Sequence, residues 1–139
     1  LHSRAEIKYE SYNKAVNIEA LTMIDMTVKQ ILPAVIEYTG TLSGIIQSLK
    51  AVDVAPTVQS ELLRDIMSLL NEANAAVRVL RKVTAEASGI QDNEERAHYY
   101  HDHVMPAMDA LRSPIDSLEM LVDKEVWPMP SYGDLMFEI

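Results

Sequence analysis

From Ile7 onward, apolar residues recur every three or four places: Ile7, Tyr9, Tyr12, Val16, Ile18, Leu21, Ile24, Val28, Ile31, Leu32 and Val35. This is helical periodicity rather than the alternation of a strand. Ser3 followed by Glu6 has the spacing of a capping box, which predicts a helix start there. Around Ile18, Leu21, Met23, Ile24 and Met26 the apolar positions crowd more than one face, so the stretch is expected to be buried on two sides. Pro33 lacks a backbone N–H and its ring crowds the carbonyl four residues back, which predicts a kink. Beyond it Val35, Ile36, Tyr38, Leu42, Ile45, Ile46 and Leu49 resume the period. Gly40 and Gly44 lie on a face that a neighbouring helix could approach closely, and such packing would offset a helix-propensity penalty of about 1 kcal/mol per glycine.

Asp53 and Pro56 predict a loop over 51–56. After it, Val58, Leu62, Leu63, Ile66, Leu69, Leu70, Ala73, Ala76, Val77, Leu80, Val83 and Ala87 form an unbroken helical stripe. Ser88-Gly89 supplies a left-handed stop, and Asp92 with Glu95 offers a second capping box. The third stripe is Ala97, Tyr100, Val104, Met108, Leu111, Ile115, Leu118 and Val122. Pro106 and Pro114 fall within it, yet the period continues in phase, which predicts one bent helix rather than two. No segment shows strand alternation, a hairpin turn or a fixed-period repeat. The expected fold class is all-α: an antiparallel helical bundle of three long helices, about 3–50, 57–87 and 93–124, with the first kinked at Pro33. The bundle occupies 1–126, and an extended C-terminal tail occupies 127–139.

Composition narrows the functions available. The chain has 139 residues, 48% of them hydrophobic and 24% charged, enough to build one compact core. With no cysteine, it is excluded from disulfide frameworks, zinc-thiolate and iron–sulfur sites and thiol nucleophiles. A net charge of −9 argues against a phosphate-tracking surface, so no nucleic acid is expected as partner. The last third, residues 91–139, carries most of that charge, as a solvated helix face or as an electrostatic dock for a basic partner. The stretch from Tyr38 to Leu49, free of Asp, Glu, Lys and Arg, is too short to span a bilayer, and no membrane association is expected. The opening Leu1-His2-Ser3-Arg4 lacks the character of a signal peptide and reads as part of a longer polypeptide.

The densest cluster of candidate chemistry is His98-Tyr99-Tyr100-His101-Asp102-His103, with Glu95 and His98 in the Glu-x-x-His form of di-iron bundles. A di-iron bundle uses two such motifs and further glutamates, and no second one exists here. His98 and His103 also lie off the apolar stripe, so exposed histidines are the better reading. Phosphotransfer from a histidine needs a basic, glycine-rich neighbourhood, whereas the neighbours are Tyr99, Tyr100 and Asp102. Phosphate cradles, the nucleophile elbow and the His-Glu-x-x-His motif are all absent from the sequence. No catalytic, cofactor-binding or metal-ligating residue is assigned. The methionines mostly take core positions, and Asp109, Arg112, Asp116 and Glu119 read as an exposed ion-pair ladder.

The tail is the least ordinary segment. Trp127-Pro128-Met129-Pro130-Ser131-Tyr132-Gly133-Asp134-Leu135-Met136-Phe137 holds the chain's one Trp and one Phe. Its prolines forbid a regular helix, and its apolar residues are of the kinds that anchor interfaces. It either folds back onto the bundle or docks onto another domain or subunit.

Three stretches taken together carry a family resemblance: Leu1-His2-Ser3-Arg4 with Glu6-Ile7; Asn17-Ile18-Glu19-Ala20-Leu21-Thr22-Met23-Ile24-Asp25-Met26 leading to Ile31-Leu32-Pro33-Ala34; and Trp127-Pro128 through Tyr132-Gly133-Asp134-Leu135 with Phe137. The sequence resembles the C-terminal helical domain of type III glutamine synthetases. Met129, Ser131 and Met136 stand where that family's tail pattern has Phe, Thr and Leu, and they keep approximate size or chemistry. The resemblance implies a cytoplasmic parent enzyme that makes glutamine from glutamate, ammonia and ATP with a divalent metal, assembled as a homo-oligomer of stacked rings. It places the catalytic residues before Leu1, so this chain by itself is expected to be a non-catalytic accessory or assembly domain without cofactors. Its expected partners are the parent's catalytic domain and neighbouring subunits, with Ile18, Leu21, Met23, Ile24, Trp127, Tyr132, Leu135 and Phe137 as interface candidates. The alternative is a free-standing helical regulatory or protein-binding module without enzymatic activity.

Overall fold

The computed structural model describes residues 2–129, with side chains from Arg4 onward. Three long helical runs fill it. The first comprises α1 (His2–Met26), a π-helical turn π1 (Thr27–Ile31) and α2 (Leu32–Ala51). The second is α3 (Thr57–Ser88), and the third comprises α4 (Asn93–Tyr99), a second π turn π2 (Tyr100–Val104) and α5 (Met105–Leu121). Among the described residues there is no strand, so the all-α class holds. The long α3 sits centrally, packing on α5, α2 and α1, while α1 also packs on α4.

The two π turns share a cause. Each ends two residues before a proline, Pro33 or Pro106, and each contains the residue four positions before that proline, Lys29 or Asp102. A proline ring in a regular α-helix collides with that carbonyl. Widening the turn moves the carbonyl aside: the Leu32 N–H bonds to Thr27 O and the Met105 N–H to Tyr100 O, each five residues back. The helical run therefore continues through both prolines. At Pro114, which is fully buried, α5 continues without a wide turn.

The first π turn also keeps the core in line. Val16, Ala20, Ile24, Thr27, Ile31 and Val35 are all buried, and they take nineteen residues to make five turns. A regular α-helix uses about 18. The wide turn absorbs the extra residue and holds all six against α3 and its neighbours.

The helix ends are fixed locally. Asp92 accepts a hydrogen bond at Oδ2 from the Glu95 N–H at 3.0 Å and so caps α4 as its spacing predicts. The expected left-handed stop at Gly89 is not found: its φ is −82°, and α3 ends through 3.1 Å and 3.2 Å bonds from Gly89 N and Ile90 N to Glu86 O and Ala87 O. The left-handed residue is Asp53, at φ 60°. It ends α2 in a Schellman arrangement, with Val54 N on Leu49 O at 2.9 Å and Asp53 N on Lys50 O at 3.1 Å. At the other end, α1 already includes His2, and the Ser3 side chain of the expected first capping box lies outside the described residues. The Glu6 carboxylate accepts from Asn93 Nδ2 at 3.2 Å.

The core runs the length of the three helices. Ile66, Leu80, Val104, Leu111 and Leu118 are completely covered. α5 ends at Leu121, three residues earlier than the periodicity predicts, because Val122 turns extended (φ −81°, ψ 142°) and sends its own side chain into the core.

Candidate functional site

The stretch expected to be buried on two sides is buried on one. Ile24 is covered and Met23 half covered, whereas Ile18 is 65% and Leu21 50% exposed. The reason lies in the helix's surroundings: α3, α4 and α5 occupy one side of α1, and no other described element reaches its outer side. Val28 continues that outer face beyond Leu21. Leu21, Val28 and the covered Ile24 border an open groove of about 470 Å³, edged by the Asp25–Lys29 ion pair at 2.8 Å and by Arg81. The hydrogen bond and charge of Asp25 raise the Lys29 pKa.

A second unpartnered face lies on α2. A methyl group added at Gly40 or Gly44 would meet nothing within 4 Å, so no described helix makes the close approach those glycines permit. Ile36 and Ile45 are exposed on the same helix.

Trp127, the first tail residue, folds back. It is 8% exposed within the core cluster, held where the Trp127 and Val126 N–H groups bond to Asp123 O at 3.1 Å and 2.9 Å. Its indole Nε1 is buried and has no acceptor among the described residues. Tyr132, Leu135 and Phe137 lie outside the described residues. The structure thus places Trp127 and Ile24 inside, Met23 at an edge, and Ile18 and Leu21 on one outer face.

Between the first and third helical runs lies a polar seam that the periodicity reading passed over. Asn13, 4% exposed, donates from Nδ2 to Asn93 O at 3.0 Å. The buried Tyr100 donates its hydroxyl to Asn17 Oδ1 at 3.2 Å. Farther along, Tyr12 donates to Met105 Sδ at 3.4 Å, and Arg112 joins Glu19 across the helices and Asp109 on its own helix, both at 2.9 Å. Arg112 is thus an inter-helix bridge more than a rung of a ladder. Burial raises the pKa of Tyr100 and of Tyr12, and a hydrogen bond to the Glu86 carboxylate raises that of Tyr99. The available signal was the pair Asn13 and Asn17, four apart and in step with the apolar Tyr9, Val16 and Ala20.

His98, His101 and His103 face solvent. His98 lies 4.0 Å from Glu94, His101 3.1 Å from Asp102, and the His103 ring 4.5 Å from the ring of Tyr99. Among the described residues no group of three or more His, Asp or Glu is placed to hold a metal ion. No described helix is long and apolar enough to cross a membrane.

Fold and surfaces together define an all-helical domain whose covered faces build a core and whose outer faces on α1 and α2 stand without a partner among the described residues. Residues 1–50 match the family model of the glutamine synthetase C-terminal domain. The chain is 28% identical over 143 residues to a glutamine synthetase of Bacteroides fragilis, an alignment covering 99% of this chain and 20% of the relative. It is 31% identical over 141 residues to a glutamine synthetase of Butyrivibrio fibrisolvens, covering 100% and 20%. It is 31% identical over 147 residues to the type-3 glutamine synthetase of Dictyostelium discoideum, covering 99% and 20%. The chain thus spans about a fifth of the length of these relatives. Its first fifty residues are thus similar to a glutamine synthetase C-terminal domain, and the whole chain aligns with a fifth of each of these synthetases, in keeping with the sequence resemblance.

Proposed function

We propose that this domain is a non-catalytic accessory and assembly element of a type III glutamine synthetase, whose remaining chain makes glutamine from glutamate, ammonia and ATP in the cytoplasm. The observation that carries this reading is the end-to-end alignment with one fifth of each relative. ATP and the divalent metal belong to the rest of such an enzyme, as the family resemblance implies. The partners are the catalytic domain of the same chain and neighbouring subunits of a homo-oligomer. The contact surface is the outer face of α1 around Ile18 and Leu21 with the adjoining Met23 and Ile24, together with the tail residues Tyr132, Leu135 and Phe137. Large apolar side chains half or more exposed in a row are favourable to bury, at about 25 cal/mol per Å² of apolar area.

The arrangement that presents this surface is an antiparallel bundle of residues 1–126, bent at Pro33, with residues 127–139 as a docking tail. Cross-helix contacts support it. Asn13 meets Asn93, Asn17 meets Tyr100 and Glu19 meets Arg112, so the first and third helices ascend together, as in an up-down-up bundle. The test is Ile18→Asp with Leu21→Asp in the full-length enzyme, followed by light scattering and glutamine synthesis. Loss of the oligomer with the isolated domain's helicity unchanged is the expected result. An intact oligomer would refute the assignment of this face.

A further inference from the structure

The polar seam opens into a cavity of about 370 Å³, at the lower end of the size range of small-molecule sites. Its wall includes Glu10, Asn13, Lys14, Asn17, Arg96 and Tyr100. It differs from the grooves elsewhere on the described chain in setting carboxamides beside its charges of both signs. Two nitrogens of Arg96 bond to the Ile90 carbonyl, one of them at 2.7 Å, which fixes the guanidinium while its fork has further donors. Lys14 lies 3.6 Å from Glu10, and both side chains are more than half exposed. An exposed pair of this kind contributes little by itself, so a ligand can insert between its members cheaply. Asn13, on the same wall, has its Oδ1 buried without a donor among the described residues.

We propose that this cavity binds a small zwitterion of the free α-amino acid class. Lys14 and Arg96 are the cations for the carboxylate, Glu10 is the anion for the ammonium, and the carboxamides of Asn13 and Asn17 meet the remaining polar groups. Acceptors on the wall disfavour a polyanion such as phosphate, and the two cations disfavour a simple amine. The proposal is independent of the chain's place in a larger enzyme, because every residue it uses belongs to the seam between the first and third helices.

The test is a titration of the isotope-labelled 139-residue chain, followed by NMR, with the twenty common L-amino acids one at a time and with inorganic phosphate and ethylamine as controls. At least one amino acid should give saturable shifts at the side-chain amides of Asn13, Asn17 and Asn93, and neither control should. Glu10→Gln and Lys14→Gln should each weaken binding about tenfold, the loss of one charge-assisted hydrogen bond, with thermal melts unchanged because both side chains are exposed. Absence of saturable shifts up to tens of millimolar for every amino acid would overturn the proposal. Equal binding of phosphate, or saturable shifts indifferent to both substitutions, would overturn it too.

Discussion

Replacing Trp127 by alanine separates a core residue from an interface residue. The side chain is 8% exposed, so nearly all of a tryptophan's ~200 Å² is removed from water. At about 25 cal/mol per Å² that burial is worth ~5 kcal/mol. Against it stands the indole N–H, buried with no acceptor among the described residues, a desolvation cost of about 1–3 kcal/mol. Truncation should therefore destabilise the chain by roughly 3 kcal/mol, at the low end of the range for large aromatics. Urea unfolding followed by circular dichroism measures this directly as a lower midpoint at constant slope. Trp127→Phe keeps most of the ring area and removes the orphan donor, so it should lie within about 1 kcal/mol of the parent. A Trp127→Ala variant as stable as the parent would refute the packing account and leave Trp127 as a contact for something outside the chain. A Trp127→Phe variant as unstable as Trp127→Ala would show that the indole N–H has a partner after all.

Asp92→Ala removes the N-cap of α4 and should cost about 1 kcal/mol in the same urea assay, with Asp92→Asn nearly neutral. Gly40→Ala and Gly44→Ala meet open space and should each stabilise the isolated chain by up to about 1 kcal/mol in thermal melts. If a partner helix approaches there, the same substitutions should weaken oligomer formation in the full-length enzyme, measured by light scattering. The pKa values of Tyr12, Tyr99 and Tyr100 are raised above the ordinary value of 10.0 in the folded chain. Their contribution to stability is therefore fully present below about pH 10 and is lost as pH climbs through the raised values. Melting temperature should fall above pH 10, and less steeply in Tyr100→Phe; a flat profile to pH 11.5 would contradict the packing of these rings.

How much of this the sequence disclosed differs by helix. In α3 the stripe from Ile66 to Ala87 is the buried face, because a central helix with neighbours on several sides shows its period plainly. Val58 at the start of that stripe is 72% exposed, since α3 begins before its neighbours reach it, and the polar Thr84 takes a core position that a hydrophobicity reading skips. In α1 the apolar residues were visible but their destinations were not. Ile18 and Ile24 are equally hydrophobic, and only the placement of α3, α4 and α5 decides which is covered. The Asn13, Asn17 and Tyr100 seam was hidden for a different reason: its hydrogen bonds join residues some eighty positions apart. The helix stop at Asp53 was masked because aspartate reaches the left-handed region less readily than glycine, so the glycine at 89 drew the prediction instead.

The wide turns ahead of Pro33 and Pro106 carry a consequence for comparing this chain with its relatives. Each accommodates one residue more than an ordinary α-helical passage would. A relative with a non-proline residue at either place has no collision to relieve, and it can omit that residue while keeping the same buried faces on either side. Single-residue gaps in alignments near 27–31 or 100–104 would then mark a change in helix winding rather than a loop or a misalignment. Positions on the two sides of such a gap should be matched by the face they cover, not by counting along the chain.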